Sequence, residues 1–418
     1  THTGNLGNVL EWWDFALFGA FADRISDAFF PSEDKNARLL ATFAIFGGAF
    51  FMRPVGGFVF GIIADTRGRK FALNLAVICM AISTGLLAAL PSYNTIGIAA
   101  PLLLCVARLL QGLSVGGQLV GAMAFTIESL PADKRGKYSA LCIGTSVIGS
   151  AMANVTAGIV SKFSSSYAWR LPFAGGVLLG LVSLYFQSKA EETAEFANLE
   201  RGEGVAVSPM RQVWRHHRTD VVRVCAGTAL WSAGVYVGFV WLPTYLTDII
   251  DPPLKSAFLW NACGSAFLLV VFAVVGNVSD WLVGRSRARL IAIGSFLMMV
   301  LAPLAFTLLP KAEVLPVLCG QAMIAVALGL VGAPMSAWMV ETYPANIRVT
   351  AMGSAYNIAQ ALFGGTAPLI ATALASSHKA PKIAVGLYIA GVAVVSACGS
   401  LKAPQPRTEE ELQPPTRV

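Results

Sequence analysis

Long apolar stretches separated by short polar or charged clusters run along this whole chain. A helix that crosses a bilayer needs about 20 mostly apolar residues, and the polar clusters leave twelve stretches of that kind. The stretches do not alternate with a period of two, which excludes a membrane β-barrel. We therefore predict an all-α membrane protein with twelve transmembrane helices. They are placed near residues 5–30, 39–63, 71–91, 97–129, 138–161, 168–188, 219–247, 256–280, 289–310, 314–341, 348–376 and 383–401.

Composition supports a protein that lies in lipid. Charged residues make up 13 % of the chain, against about 25 % in soluble proteins, and the mean hydropathy is +0.65. The net charge of +7 does not indicate a nucleic-acid partner, because the basic residues concentrate in the loops of one side. We expect a multi-pass protein of a plasma or inner membrane, with both termini in the cytoplasm. The opposite loops hold only Lys35, Arg38, Lys162, Arg170, Lys255, Lys311, Lys379 and Lys382.

Two segments about half a chain apart indicate an internal duplication. Residues 61–70 read GIIADTRGRK and residues 276–285 read GNVSDWLVGR, so in each copy a Gly lies four residues before an Asp (Asp65 or Asp280). Parallel repeats of this kind occur in secondary transporters. We predict two pseudo-symmetric six-helix bundles. The predicted domains are an N-terminal bundle (1–188), a cytoplasmic linker (189–218), a C-terminal bundle (219–402) and a disordered cytoplasmic tail (403–418).

The linker and the two ends of the chain carry weaker signals. Within the linker, residues 211–218 read RQVWRHHR, which favours either an amphipathic helix at the inner membrane surface or a solvated connector. Because Glu11 and Asp14 interrupt the first apolar stretch, that stretch does not resemble a cleavable signal peptide. The chain starts with Thr1 rather than Met, so we expect that it begins after a trimmed leader.

Charged residues inside apolar helices are costly and therefore mark functional sites. Glu11 and Asp14 lie in the first helix, where Asp14 could accept a proton or pair with a cation, or either residue could sit at the membrane interface near a helix N-terminus. Arg53 lies within the second helix and could contact a substrate anion or pair with Asp14. Arg108 lies within the fourth helix, and packing does not explain it.

The fourth helix also carries an amide and a stripe of glycines. Gln118 lies in its middle, and glycines recur on one face, where they allow close approach of a neighbouring helix. Glu128, near the basic residues 134–137, is expected to form an ion pair at a cytoplasmic gate. The glycines are Gly112, Gly116, Gly117 and Gly121.

Polar and aromatic residues in the second half are candidates for the far side of a binding cavity. Tyr356, Asn357 and Gln360 recur at helical spacing in the eleventh helix. Tyr236 lies in the seventh helix with Trp231 and Trp241, aromatics that also suit a lipid interface. At the next inner loop, Glu341 and Arg348 could form a salt bridge that closes a gate.

Signatures of enzymes and metal sites are missing from the sequence. The four His residues fall in loops or near the end, no phosphate-binding loop occurs, and the seven Cys residues lie singly in apolar stretches. We therefore expect no enzyme activity, no metal and no cofactor.

At these residues the chain resembles the major facilitator superfamily, and more narrowly its metabolite:proton symporters, which include proline/betaine, citrate, 2-oxoglutarate and shikimate carriers. Residues 61–70 match the loop between helices 2 and 3 of the superfamily. The narrower resemblance rests on Gly7-Asn8 with Glu11-Trp12-Trp13-Asp14-Phe15, Arg53-Pro54 with Gly56-Gly57, residues 108–117, residues 341–348 and residues 363–368.

The chain departs from that family at two positions. Trp13 stands where the family usually has Tyr, and Gln118 stands where it usually has Glu. An amide does not titrate at physiological pH. Proton coupling would then depend on Asp14 or on another carboxylate, such as Glu11.

The resemblance implies a monomeric secondary transporter that moves a small carboxylate-bearing metabolite, an organic acid or a zwitterion, together with protons as two bundles rock about a central site. The alternatives are a proton-independent uniporter or exchanger of the same substrates, and a metabolite sensor. We assign proton coupling to Asp14 and Glu11. The candidate substrate-binding residues are Arg53, Arg108, Trp13, Gln118, Tyr236, Tyr356, Asn357 and Gln360. The candidate gating residues are Asp65, Arg69, Glu128, Asp280, Glu341 and Arg348.

Overall fold

The computed structural model describes residues 4–31, 35–160, 163, 165, 167–202, 204–281, 287–377 and 383–402. Across these ranges the chain consists of helices joined by turns, without a strand. The predicted tail at 403–418 and the Gly284-Arg285 end of the second repeat segment lie outside the described residues, as do His2 and His378.

The chain divides into two compact units. Unit 1 comprises Thr1–Ser129, Thr145–Arg211 and Ala345–Ser354, and unit 2 comprises Leu130–Gly144, Gln212–Pro344 and Ala355–Val418. Each unit thus includes a short segment from the other half of the sequence. The division into bundles at 188 and 219 stays a prediction.

The helices of the first half follow the predicted stretches closely. Where the sequence predicts one helix at 5–30, the structure has two, because the helix is distorted at Phe21, although backbone hydrogen bonds continue from Leu17 to Phe21 and from Phe21 to Ile25. The helices are α1 (Gly4–Ala20), α2 (Ala22–Phe29), α3 (Lys35–Arg67), α4 (Arg69–Ala89), α5 (Tyr93–Ile96), α6 (Ala99–Glu128), α7 (Arg135–Val160), α8 (Arg170–Lys189), α9 (Ala194–Arg201) and α10 (Pro209–His216).

The second half contains helices interrupted by wider, π-helical turns. Such turns leave backbone carbonyls without their usual partners and are frequent at functional sites. They span Tyr236–Trp241, Tyr245–Ile249 and Gln360–Gly364. The α-helices are α11 (Arg218–Val235), α12 (Leu242–Thr244), α13 (Ala257–Trp281), α14 (Arg287–Leu308), α15 (Val314–Gly332), α16 (Met335–Thr342), α17 (Arg348–Ala359), α18 (Ala367–Ala375) and α19 (Ala384–Leu401).

Eleven segments among the described residues are long and apolar enough to cross a membrane, and they correspond to the second to twelfth predicted helices. The first predicted helix corresponds to α1 and α2 together. The boundaries differ from the predicted ones by a few residues, most at the start of α3. The prediction of an all-α membrane protein is confirmed.

Close packing of α3 on α6 fixes the position of Arg53. A Cβ atom added at Gly116 would lie 2.9 Å from the Cα of Gly56, and one added at Gly112 would lie 2.8 Å from the Cα of Ala49. Real Cβ atoms do not approach backbone so closely, so these positions of α6 require Gly. The predicted contact at the glycine stripe is confirmed, and it holds the α3 turn that carries Arg53 against α6.

Candidate functional site

Three positions of α1 share one helical face within unit 1. Gly7, Glu11 and Asp14 are spaced by four and three residues, so they lie on successive turns. Glu11 and Asp14 are both buried. Each of the two carboxylates lies near an arginine from another helix.

Asp14 is held by Arg108 and a hydroxyl group. The Nη1 of Arg108 donates to Asp14 Oδ2 at 2.9 Å, and Thr84 Oγ1 donates to Asp14 Oδ1 at 2.9 Å. Arg108 also donates to Gln111 Oε1 at 2.5 Å, and Gln111 Nε2 donates to Thr84 at 3.3 Å. The guanidinium lies 3.5 Å from the centre of the Phe18 ring, a cation–π distance. Asp14 and Arg108 therefore belong to one buried hydrogen-bond network with Thr84 and Gln111.

Glu11 faces Arg53 at a longer distance. The Nη2 of Arg53 lies 3.9 Å from Glu11 Oε1, and both residues are buried. Glu11 Oε2 accepts no hydrogen bond within the part of the chain that the structure describes. The suggested pairing of Arg53 with Asp14 is wrong, because Asp14 is engaged by Arg108 and Arg53 lies beside the carboxylate one turn earlier.

The two positions at which the chain departs from its family have different surroundings. Trp13 lies in an apolar cluster with Leu17 and Phe173, and its indole N–H donates to the carbonyl of Pro172 at 3.3 Å. Gln118 is fully buried beside Gly7, and neither of its amide atoms has a hydrogen-bond partner among the described residues. Trp13 is thus anchored to α8, whereas Gln118 presents an unsatisfied polar group.

The candidate residues of unit 2 gather at the π-helical turn Gln360–Gly364. Gln360 Nε2 donates to the hydroxyl of Tyr356 at 2.7 Å. A Cβ atom at Gly364 would lie 2.7 Å from Gln360 Oε1 and 3.0 Å from Tyr236 Cε2, so these side chains are neighbours. Asn357 is buried on α17 next to Tyr356.

The aromatics of the seventh predicted helix are not lipid anchors. Trp231 and Trp241 are both buried. The Nε1 of Trp241 donates to Thr372 Oγ1 at 2.8 Å, and its ring stacks on Tyr245 at a centroid distance of 4.8 Å. Their role is therefore to pack inside unit 2.

A charge network in unit 1 brings together four of the predicted gating residues. Asp65 accepts from the backbone N–H groups of Val349 at 3.2 Å and Thr350 at 2.8 Å, at the start of α17. A carboxylate there complements the positive end of the helix dipole. Arg69 lies 3.4 Å from Asp65 and 3.1 Å from Glu128.

Glu128 connects two arginines of this network. Its Oε1 accepts from Arg348 Nη1 at 2.8 Å, and its Oε2 accepts from Arg69 Nε at 3.1 Å. Arg69 also donates to the carbonyl of Ala345. Glu128 thus forms the ion pair that the sequence predicts, with partners from α4 and α17 rather than from the basic residues 134–137.

The start of the predicted linker folds onto this network as α9. Thr193 caps the helix through its hydroxyl, and Glu195 pairs with Arg348. Phe196 lies under the Arg69 guanidinium, 5.1 Å from ring centroid to Cζ. Glu192 Oε2 accepts from the backbone N–H of Lys70 at 3.0 Å. The start of the predicted linker therefore packs on the charge network of unit 1, while the alternatives for residues 211–218 stay predictions.

A second charge network lies in unit 2. Asp280 accepts from the backbone N–H groups of Gly136 at 2.5 Å and Lys137 at 2.9 Å, in the first turn of α7. Arg287 donates to Glu341 at 2.8 Å and lies 3.8 Å from Asp280. The predicted pairing of Glu341 with Arg348 is wrong, because Glu341 pairs with Arg287 in its own unit.

Sequence reasoning missed the arginines that pair with Glu341. Besides Arg287, Arg135 lies 3.8 Å from Glu341. A signal was available, because Arg135 follows Glu128 by seven residues and Arg348 follows Glu341 by seven residues. Each glutamate lies beside the arginine of the other repeat: Glu128 pairs with Arg348, and Glu341 faces Arg135.

The described residues contain no group of three or more His, Cys, Asp or Glu side chains that could hold a metal ion. The buried charged groups instead form pairs and networks of arginine with carboxylate. Such an arrangement can bind an anion by exchange, or change its pairing when a carboxylate is protonated.

Curated relatives cover almost the whole chain. The chain is 32 % identical over 430 residues to a putative proline/betaine transporter of Staphylococcus aureus, covering 97 % of this chain and 90 % of that protein. It is 32 % identical to the proline/betaine transporter of Escherichia coli (93 % and 80 % covered). It is also 32 % identical to the glycine betaine/proline/ectoine/pipecolic acid transporter OusA of Dickeya dadantii (90 % and 77 % covered). These relatives are transporters and not enzymes.

Solved structures show the same fold. The proton:xylose symporter XylE matches with a TM-score of 0.79 at 19 % identity, covering 98 % of this chain and 97 % of that one. The human organic anion transporter MFSD10 matches with a TM-score of 0.68 at 15 % identity, covering 95 % and 98 %. The family model of the Major Facilitator Superfamily matches residues 6–368, and this chain belongs to that superfamily.

Proposed function

We propose that this secondary transporter moves a small carboxylate-bearing metabolite together with protons, by alternating access. The observation that carries the proposal is the pair of buried arginines in unit 1, Arg53 and Arg108, each beside a carboxylate of α1. Intramembrane ionisable groups mark substrate and proton pathways in transporters. Arg binds carboxylates through its planar guanidinium, which suits an anionic group of the substrate.

The names of the relatives narrow the substrates to be tested. Proline and betaine each combine a carboxylate with a cationic nitrogen, so they belong to the proposed class. We therefore propose a zwitterion as the first candidate and an organic acid as the second. In unit 2, Tyr356, Asn357 and Gln360 supply neutral polar groups that suit a zwitterion without adding a charge.

We also propose that the two charge networks act as inner gates. Asp65, Arg69, Glu128 and Arg348 form one network, and Asp280 and Glu341 belong to the other. Ion pairs of this kind can form in one state of a transport cycle and break in another. We place the gates and both termini at the cytoplasmic side of a plasma or inner membrane.

The alternative is a uniporter or exchanger without protons. It is favoured by one observation, the buried amide of Gln118, because an amide cannot carry a proton through the cycle. This alternative predicts exchange of substrate at the same rate at every pH. It also predicts no accumulation driven by a pH gradient.

Uptake of radiolabelled proline and betaine into proteoliposomes tests the proposal. An inward proton gradient should drive accumulation above the external concentration, and a protonophore should abolish it. Counterflow without a gradient should also occur. Counterflow with no accumulation would support the alternative, and accumulation that a protonophore leaves intact would contradict proton coupling.

The Arg108→Ala variant tests whether Arg108 is needed for this transport. We expect it to abolish both accumulation and counterflow, because Asp14 then loses its buried partner. Size-exclusion chromatography and thermal unfolding in detergent must show that the variant is folded. Normal uptake by a folded variant would remove Arg108 from the site.

A further inference from the structure

The two carboxylates of α1 differ sharply in how their charge is supported. Asp14 lies 2.9 Å from Arg108 and accepts a further hydrogen bond from Thr84. Glu11 lies 3.9 Å from Arg53, beyond hydrogen-bond distance, and its Oε2 has no hydrogen-bond partner among the described residues. Both carboxylates are buried, so bulk solvent does not replace missing partners.

This difference decides which carboxylate can change its protonation during a cycle. Charge-assisted hydrogen bonds at about 2.7–2.9 Å are about twice as strong as neutral ones, and Asp14 would lose such a bond on taking up a proton. Glu11 would lose only the attraction of Arg53 across 3.9 Å. Asp14 is therefore suited to a permanent ion pair with Arg108. Glu11 is suited to an ion pair with Arg53 that a substrate can replace.

Few other charged groups lie near Glu11. On α1 and α6 the neighbours are Asp14 and Arg108, which are engaged with each other, and α3 contributes Arg53. The other helices that contact α1 carry further ionisable groups, and among the described residues none of these forms an ion pair with Glu11. These are Arg69, Lys70 and Cys79 on α4, Arg170, Tyr185 and Lys189 on α8, Arg135, Lys137, Tyr138 and Cys142 on α7, and Asp23, Arg24 and Asp27 on α2.

A second observation indicates that a polar occupant belongs on this face of α1. Gln118 is fully buried beside Gly7, one turn before Glu11, and both of its amide atoms lack a hydrogen-bond partner in the described part of the chain. A buried amide without a hydrogen-bond partner is destabilising. A bound carboxylate or its solvating water would satisfy the N–H of this amide.

We propose that Arg53 binds the substrate carboxylate and releases Glu11 when it does so. Glu11 then carries the coupled proton. The inference rests on the proposed proton symport. The substrate carboxylate takes the place of Glu11 beside Arg53, and one proton from the solution binds to Glu11. Arg53 has one carboxylate partner before and after the exchange, so neither Arg53 nor a carboxylate is left with an unpaired charge. Asp14 and Arg108 stay paired throughout.

The first experiment measures protons taken up on binding. Proline or betaine is added to the purified wild-type protein in weakly buffered detergent that contains a pH-indicator dye. At a pH where Glu11 is charged in the substrate-free protein, we expect uptake of about one proton per bound substrate. Binding without proton uptake at every pH between 5 and 9, by a protein whose transport is proton-driven, would overturn the inference.

The variant Glu11→Gln assigns the proton. We expect it to bind and exchange substrate with an affinity that no longer depends on pH, and to lose accumulation driven by a proton gradient. Glu200→Gln, which removes an exposed carboxylate at the end of α9, is the matched control and should keep the wild-type pH dependence. If Glu11→Gln still accumulates substrate on a proton gradient, the inference fails while the proposed function stands. If the wild type itself shows no transport of the tested substrates, the proposed function fails.

Infrared difference spectroscopy on the wild-type protein tests the same assignment without a variant, so the result does not depend on whether Glu11→Gln folds. Substrate binding should produce a protonated-carboxyl band that shifts when the protein is labelled with ¹³C-glutamate. A band that shifts only with ¹³C-aspartate would assign the proton to Asp14 and contradict the inference.

Discussion

The two charge networks are built from the same parts but are enclosed to different degrees. In unit 1 Asp65 accepts two backbone hydrogen bonds at the start of α17, and in unit 2 Asp280 does the same at the start of α7. Each network also has a glutamate beside two arginines. The duplicated sequence therefore forms the same arrangement twice.

Burial separates the two networks. The side chains of Asp65 and Glu128 are 0 % exposed, whereas those of Asp280 and Glu341 are 15 % and 11 % exposed. In unit 1, α9 covers the network, and Glu195 adds a further carboxylate on Arg348. Since buried charges are less screened than exposed ones, each charge of the unit 1 network depends more on its partners.

The largest expected effect comes from breaking the centre of the buried network. Glu128→Gln leaves Arg69 and Arg348 with only part of their compensating charge. We expect the free energy of unfolding to fall by about 3 kcal/mol, at the low end for a broken buried pair because Asp65 and Glu195 remain. Thermal unfolding in detergent measures this change, and proline or betaine uptake should fall with it.

The matched variant in unit 2 is Glu341→Gln. Because the Glu341 side chain is 11 % exposed and that of Glu128 is 0 % exposed, we expect the loss of Glu341 to cost about 2 kcal/mol, less than that of Glu128. Equal destabilisation by both variants would show that burial does not separate the networks.

Asp65 and Asp280 allow the two networks to be compared again, with smaller expected effects on stability. Asp65→Ala removes two hydrogen bonds from the start of α17 and should cost about 2 kcal/mol, while Asp280→Ala should cost about 1 kcal/mol, the typical loss of a helix cap. The Asn variants keep a side-chain acceptor and should recover part of the loss. A larger effect at Asp280 than at Asp65 would contradict the proposed order.

The smallest expected effect comes from loosening α9. Glu195→Gln removes the additional carboxylate from Arg348, and because Glu195 is 29 % exposed we expect a loss below about 1 kcal/mol. Hydrogen exchange should become faster in α9 and in the first turn of α17. Unchanged exchange in both segments would show that α9 does not stabilise the network.

Sequence periodicity predicted the helices well but not the ion pairs. Continuous apolar runs specify where a helix crosses the membrane, and the glycine stripe of α6 correctly indicated a close helix contact. Pairing depends on which helices are neighbours and at what height. For that reason Arg53 was placed beside Asp14 instead of Glu11, and Glu341 beside Arg348 instead of Arg287.

Local backbone features also could not be predicted from the sequence. Nothing in the apolar pattern of residues 236–249 distinguishes a π-helical turn from a regular helix, because both present similar side chains. The docking of α9 depends on a few specific contacts, such as Phe196 on Arg69, rather than on periodicity. The spacing of seven residues from Glu128 to Arg135 and from Glu341 to Arg348 could have indicated that the networks are related by the repeat.

Internal pH in proteoliposomes reports directly on proton-coupled transport of a carboxylate-bearing metabolite. Proline, betaine, citrate, 2-oxoglutarate and shikimate are added outside one at a time, with a pH-sensitive dye trapped inside. We expect internal acidification with at least one of these compounds, and none in empty vesicles or in vesicles that carry the Arg108→Ala variant. Radiolabel exchange without any acidification would contradict proton coupling and identify an uncoupled carrier.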